Sequence, residues 1–238
     1  MRTLFISDLH LHAGRPDLTR ALLQFLDTHT DPCDSLYILG DLFEAWIGDD
    51  AIAEDLQPVI NKLKNLSDSG IKLFFQHGNR DFLVGETFAK LTGCVLLPDS
   101  YIINLPCGQA LIMHGDQLCT DDAEYQALRK QLRNPEWQNA FTSKTVTERL
   151  TIAQQLRSAS KQKNAQKSEA IMDVNSEAVE LALEHASIQL LIHGHTHRPA
   201  CHQLPGNKRR IVLGDWDKTG WYLECTEQGE QLIEFSIS

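Results

Sequence analysis

The chain has 238 residues, with 22 Lys+Arg against 32 Asp+Glu, and no run of the roughly 18 to 20 apolar residues that a membrane span needs. Hydrophobic content of 42% and charged content of 23% argue against a disordered chain, and the formal charge of −10 argues against a general nucleic-acid binder, which needs a basic footprint. The stretch from Met1 to Asp8 meets an acid before a secretion signal could form, and no Cys-x-x-Cys pair occurs among six cysteines, so we expect a soluble cytoplasmic protein with reduced, packing cysteines.

In chain order, the first apolar run, Leu4-Phe5-Ile6, reads as a buried strand and leads into Asp8-Leu9-His10. Leu18, Ala21, Leu22, Phe25 and Leu26 then follow the stripe of an amphipathic helix. A second strand, Leu36 to Leu39, leads into Gly40-Asp41. The spacing predicts a helix from Ile52 to Leu66 that stops near Gly70, where glycine tolerates the left-handed cap. Leu73-Phe74-Phe75 leads into Gly78-Asn79-Arg80-Asp81, and Leu111-Ile112-Met113 into His114-Gly115-Asp116.

Glu124 to Ala170 has a helical flavour and no strand. Its nine Lys/Arg and four acids give it a net charge of +5, leaving −15 on the rest. We read about 121–170 as a helical insertion, or lid, opened by a capping-box-like pair, Asp121 and Glu124. The body resumes with Leu190-Leu191-Ile192, which leads into His193-Gly194-His195-Thr196-His197. Ile211 to Leu213, Trp221 to Leu223 and Leu232 to Phe235 predict an antiparallel meander. The fold expected is one α/β domain carrying a helical insertion.

Ligands of open α/β sheets bind beyond the carboxyl ends of the strands. Five strand ends there would bring together Asp8, His10, Asp41, Asn79, His114, His195 and His197. Alternation in Asp-x-His and His-x-His places both side chains of each pair on one side of the chain. Mixed carboxylate, imidazole and amide donors without thiolate suit an ion such as Mn²⁺ and argue against structural zinc. Seven donors exceed one four-coordinate ion and fit two octahedral ions sharing a carboxylate, an arrangement that serves displacement at phosphorus. His12, His29, His77, His185, His193 and His202 read as packing, capping or surface residues.

The ordered set Asp-x-His, Gly-Asp, Gly-Asn-x-Asp, His and Gly-His-x-His resembles the calcineurin-like metallophosphoesterase superfamily. That resemblance implies a four-layer αββα sandwich and two Mn²⁺ ions. One ion would be held by Asp8, His10, Asp41 and His197, the other by Asp41, Asn79, His114 and His195. Longer stretches, among them Tyr37 to Asp50, His77 to Leu83, His114 to Asp122, Ala170 to Asn175 and His193 to Pro199, resemble the family of UDP-2,3-diacylglucosamine diphosphatases of lipid A biosynthesis. This implies hydrolysis of the UDP-sugar to UMP and 2,3-diacylglucosamine 1-phosphate by water attack on the α-phosphorus. It implies Arg80, Asp41, Asn79 and His195 as the catalytic set, and substrate contacts from Asn79, Arg80, Asp122, Ser160, Asn164, Lys167 and His195. It also implies peripheral attachment to the cytoplasmic face of the inner membrane, with no nucleic-acid or obligatory protein partner.

Arg80 stands where the superfamily usually has a histidine able to protonate a departing alkoxide. Arginine cannot give up that proton near neutrality. A phosphate leaving group needs less help, its second pKa lying near 6 in general. The exchange favours a diphosphate substrate, the plain alternative being an Arg80–Asp81 ion pair. Arg157, Ser160, Asn164 and Lys167 share one helical face, which offers donors to phosphate and sugar. Trp46, Phe82 and Leu83 are candidates to line acyl chains. The segment Glu136 to Glu148 is more polar than in relatives, so we expect weak membrane attachment through Trp137, Phe141 and Val146. Two other readings keep the fold: hydrolysis of another nucleotide diphosphate conjugate or a phosphodiester, and a non-catalytic scaffold. The seven filled donor positions speak against the scaffold.

Overall fold

The computed structural model describes residues 1–164 and 171–237, without the side chains of Lys163 and Asn164. Two sheets lie at its centre. The first has the order β11-β10-β1-β2-β3-β4, built from β1 (Thr3–Ile6), β2 (Ser35–Leu39), β3 (Lys72–Gln76), β4 (Val95–Leu96), β10 (Thr219–Thr226) and β11 (Gly229–Ser236). The second has the order β5-β6-β7-β9-β8, from β5 (Ser100–Leu105), β6 (Gly108–Met113), β7 (Leu190–His193), β8 (Ala200–Gln203) and β9 (Arg209–Val212). β1, β2 and β3 run parallel, as do β6, β7 and β9.

Alternation along these strands sorts the apolar residues into three cores. Leu4, Ile6, Leu36 and Ile38 face the helices α1 (Pro16–His29) and α2 (Gln57–Asp68), packing with Leu22, Phe25, Val59 and Leu63. Phe5, Tyr37 and Leu39 face the other way and meet Ile112, Ile192 and Ile211 between the sheets. Leu111, Met113 and Leu191 cover the far side against Val179 and Leu183 of α7 (Ser176–Ala186). The layers are therefore helix, sheet, sheet, helix, as expected.

Three expectations need correction. The helix predicted from Ile52 starts at Gln57, because Pro58 in its first turn has no N–H to give and Asp49–Ala51 and Glu54–Leu56 form short 3₁₀ turns. The C-terminal strands do not form one meander. β9 joins the second sheet between β7 and β8, while β10 and β11 pair as a hairpin beside β1. The crossing between sheets passes Gly214, where a Cβ would stand 2.4 Å from the Trp221 ring. Finally, all six cysteines are free, but Cys107 and Cys201 are exposed rather than packed.

Between β6 and β7 lie three helices of the predicted insertion, α4 (Ala123–Leu132), α5 (Pro135–Thr142) and α6 (Val146–Asn164). Asp122, not Asp121, caps α4 by accepting from the Tyr125 amide at 3.1 Å, while Asp121 accepts from the Asn175 side chain. Phe141 is buried and so is not free to anchor a membrane, while Trp137 stacks on it at 5.1 Å and is half-buried. Arg149 of α6 is buried, donating to Ile47 O at 2.7 Å and pairing with Asp50. Arg129 joins α4 to Asp99 and Asp116. Truncating Arg149 leaves the Ile47 carbonyl without its donor, at a cost of about 1–3 kcal/mol. Arg149→Ala is expected to speed tryptic cleavage within 121–164 roughly tenfold, and an unchanged cleavage rate would refute the anchoring role.

Candidate active site

The carboxyl ends of β1, β2, β3, β6, β7 and β9 open onto one edge of the sandwich, and the loops there hold the seven donors. Asp8, His10, Asp41, His195 and His197 all have positive φ, between 51° and 66°. Such conformations cost a non-glycine residue about 1–3 kcal/mol each and persist only where surrounding structure holds them. Here the hold is visible. Asp8 N donates to Gly40 O, His10 N to Asp41 O, Trp216 N to Asp8 O, and His195 N to Asp8 Oδ2. A Cβ on Gly78 would stand 2.1 Å from Asp41 Oδ1, so only glycine lets these loops interlock.

The donors form two groups. In the first, His197 Nε2 lies 3.4 Å from both Asp8 Oδ1 and His10 Nε2. Asp8 Oδ1 is fully buried and meets no hydrogen-bond geometry. In the second, Asn79 Oδ1 lies 2.9 Å from His195 Nδ1, 3.1 Å from His114 Nε2 and 3.2 Å from Asp41 Oδ2. Asp41 Oδ2 is also 4.0 Å from His10 Nδ1, so this carboxylate stands between the groups. The Asn79 amide can turn to donate to His195, His114 and Asp41 while accepting from Arg80 Nε at 3.3 Å, and with its oxygen inward it would instead join them around a cation. Asp8, His10 and His197, and likewise Asp8, Asp41 and His114, can each place their ligand atoms within 4.8 Å of one another.

Burial pushes His10 down to about 3 and His195 to about 4, so both rings are neutral near pH 7 and present a lone pair. Burial raises Asp41 to about 7 despite the nearby His114. For Asp8 burial acts upward, yet His197, His114 and His10 hold the carboxyl well below the usual range. Burial likewise opposes the charge on His197, but Asp215 and Asp8 raise it to about 10. These opposed shifts mark a cluster balanced around positive charge.

Arg80 does not pair with Asp81. Asp81 is fully buried and accepts from the backbone amides of Gly78, Asp41 and Leu42, fixing the loops. Arg80 Nε instead lies 3.9 Å from Asp41 Oδ2. A cavity adjoins this point, lined by Asn79 and Arg80 together with Trp46, Leu83, Leu128, Leu132, Phe141 and Leu156. Ser160 and Arg157 of α6 reach its wall. Asp122 is buried as the cap of α4, while Lys167 and the side chain of Asn164 lie outside the described residues.

Two carboxylates escaped the sequence reading. Asp215 Oδ2 lies 3.4 Å from His197 Nδ1, and Glu44 Oε2 lies 3.5 Å from His10 Nδ1. A carboxylate behind a ligand histidine fixes its ring orientation. Asp215 carried a legible signal, following a strand and a glycine as Asp41 does. Glu44 carried none.

The family model of calcineurin-like phosphoesterases matches residues 1–199. The chain belongs to this family. Membership in the calcineurin-like phosphoesterases implies use of divalent metal, for which the Asp and His groups above are the candidate ligands. Among curated relatives, the chain is 50% identical over 242 residues to UDP-2,3-diacylglucosamine hydrolase of Chromohalobacter salexigens, covering 100% of this chain and 98% of that protein. It is 47% identical over 240 residues to the enzyme of the same name from Cellvibrio japonicus, covering 100% of both. The phosphoesterase of Marinobacter nauticus with that name is 49% identical over 230 residues, covering 95% of this chain and 94% of that protein.

Proposed function

We propose that this phosphoesterase hydrolyses UDP-2,3-diacylglucosamine to UMP and 2,3-diacylglucosamine 1-phosphate, in lipid A biosynthesis. The observation that carries the reading is a shared boundary: Asn79 and Arg80 belong both to the donor cluster and to the lining of the apolar cavity. A diphosphate held at the cluster would direct an acyl-bearing sugar toward that cavity. Full-length relatives named for this substrate support the same reading.

Two Mn²⁺ ions, held by Asp8, His10, Asp41 and His197 and by Asp41, Asn79, His114 and His195, would supply Lewis acidity and a water of lowered pKa. The chain's own residues do the rest. Asn79 and His195 orient the phosphoryl group. Arg80 offsets charge developing on its oxygens, and its fixed cation suits a leaving group that departs as a phosphate without a donated proton. The reading includes a single domain with 121–170 as a lid, and Ser160, Asn164, Lys167 and Asp122 as the residues that would contact the sugar and phosphate. The water oxygen ends on UMP when attack is at the α-phosphorus. Hydrolysis in ¹⁸O water, with and without Mn²⁺, tests this directly. Label in the sugar phosphate would contradict the site of attack, and faster turnover of a soluble nucleotide-sugar would contradict the substrate.

We further propose weak attachment to the cytoplasmic face of the inner membrane through Val146 and Leu150. They lie one helical turn apart on α6 and are 43% and 47% exposed, beside the basic Lys144. The double variant Val146→Glu, Leu150→Glu is expected to stay in the supernatant under conditions where the wild type sediments with anionic liposomes. Equal sedimentation of the two proteins, or none by the wild type, refutes it.

A further inference from the structure

We infer that Arg157 and Glu44 couple docking of the lid to cation binding, acting as positioning residues for His10. Arg157 of α6 reaches Glu44, whose carboxylate stands beside the donor cluster. Its Nη1 donates to Glu44 O at 2.7 Å, and its Nη2 pairs with Glu44 Oε1. The other oxygen of the same carboxylate, Glu44 Oε2, lies 3.5 Å from His10 Nδ1. His10 Nδ1 is buried and without a hydrogen-bond partner, while its other nitrogen, Nε2, faces His197 Nε2 at 3.4 Å. One carboxylate therefore touches the lid with one oxygen and the back of a candidate metal ligand with the other.

The arrangement has a directional consequence. A cation drawing on His10 Nε2 needs Nδ1 to keep its proton and the ring to hold its angle, which a carboxylate behind it provides. Glu44 can do this best when Arg157 fixes its rotamer and its backbone carbonyl together, since a bidentate guanidinium contact limits both. The other described lid contacts do not touch His10 or Glu44: Arg149 meets Asp50 and Ile47 O, Arg129 meets Asp99 and Asp116, Arg133 donates to Gly78 O at 3.0 Å, and Tyr125 stacks on the His195 ring at 5.9 Å. Arg157 thus links two equilibria, and linkage requires the coupling to be reciprocal. Lid docking tightens cation binding, and cation binding tightens lid docking by the same factor.

This inference rests on the cation site of the proposed function but not on its substrate. The test uses the full chain with Mn²⁺ as probe, measuring free Mn²⁺ by electron paramagnetic resonance and hydrogen exchange of α6 amides. In the wild type, Mn²⁺ is expected to raise protection across α6. Arg157→Ala should bind Mn²⁺ several-fold more weakly and show α6 protection that no longer responds to Mn²⁺. Glu44→Gln, which preserves shape, should lose about tenfold in Mn²⁺ affinity, and Arg157→Lys should restore part of the coupling. A purely structural role for Arg157 would lower α6 protection equally with and without Mn²⁺, and that result overturns the inference. So does wild-type Mn²⁺ affinity in Glu44→Gln. A wild type that binds no Mn²⁺ overturns this inference and the cation site together. A wild type with Mn²⁺-dependent protection that leaves the UDP-sugar intact refutes only the substrate reading.

Discussion

Asp41→Asn is expected to lower kcat/KM by about 10³-fold or more while leaving the chain folded. The carboxylate oxygen Oδ2 is the atom on which the cluster converges, 3.2 Å from Asn79, 3.8 Å from His114 and 3.9 Å from Arg80. The other oxygen accepts from Arg80 N at 2.8 Å, a bond that an amide oxygen retains. Burial raises the Asp41 pKa from 3.8 to about 7. A carboxyl whose pKa is raised by folding favours the folded state in its neutral form. Its ionised form costs stability increasingly as pH rises from the unfolded value, and fully above the folded one. In chelator at pH 8, Asp41→Asn should therefore melt at or above the wild-type temperature. Activity within tenfold of wild type would refute the bridging role, and a lower melting temperature would refute the electrostatic account.

Arg80→Ala is expected to reduce kcat by roughly 10²–10³-fold, the range for loss of one preorganised charge stabiliser, with Mn²⁺ content unchanged. Arg80 is half-buried, and its backbone N–H already holds Asp41, so truncating the side chain leaves the loop contact in place. The neighbouring Asp81 is engaged by backbone amides and needs no cation from Arg80. The pH–rate profile supplies a second readout. If no side chain protonates the leaving phosphate, Arg80→Ala should scale the wild-type profile down without changing its alkaline limb. A variant within threefold of wild type, or a lost limb, would show that the arginine has another role.

The donor set was legible because each polar motif directly follows an apolar run, and parallel strands send their carboxyl ends to one edge. In the structure, Leu4 and Ile6 enter one core and Phe5 the other, facing the second sheet, a split the reading of a buried strand did not draw. Pairing was not legible. Ile211 and Tyr222 are both buried strand residues, yet they lie in different sheets, since local pattern says nothing about which edge a strand joins. β8 escaped because an edge strand of alternating exposure, Ala200–Gln203, needs no apolar run. The site was least legible where a residue acts through another. Glu44 lies three positions after Asp41 with no periodicity to mark it, and only tertiary approach brings it to His10 and to Arg157 of α6. Phe141 misled for a related reason: an aromatic on a polar helix can face either way, and here it faces inward.

The positions of the donors have a mechanical meaning. Asp8, Asp41 and Asn79 follow strands of one sheet, and His114, His195 and His197 follow strands of the other. The seam between those sheets is apolar, and no disulfide crosses it because every cysteine is free. A cation gripped from both sides would rivet the seam at the rim formed by the carboxyl ends of the strands. Each ion bound only by the folded chain adds about 2.7 kcal/mol at a hundredfold excess over its Kd. That is a large share of the 5–15 kcal/mol that commonly holds a domain together. A chelator would then act on this protein as a mild denaturant as well as an inhibitor, and metal starvation would shorten its lifetime along with its turnover.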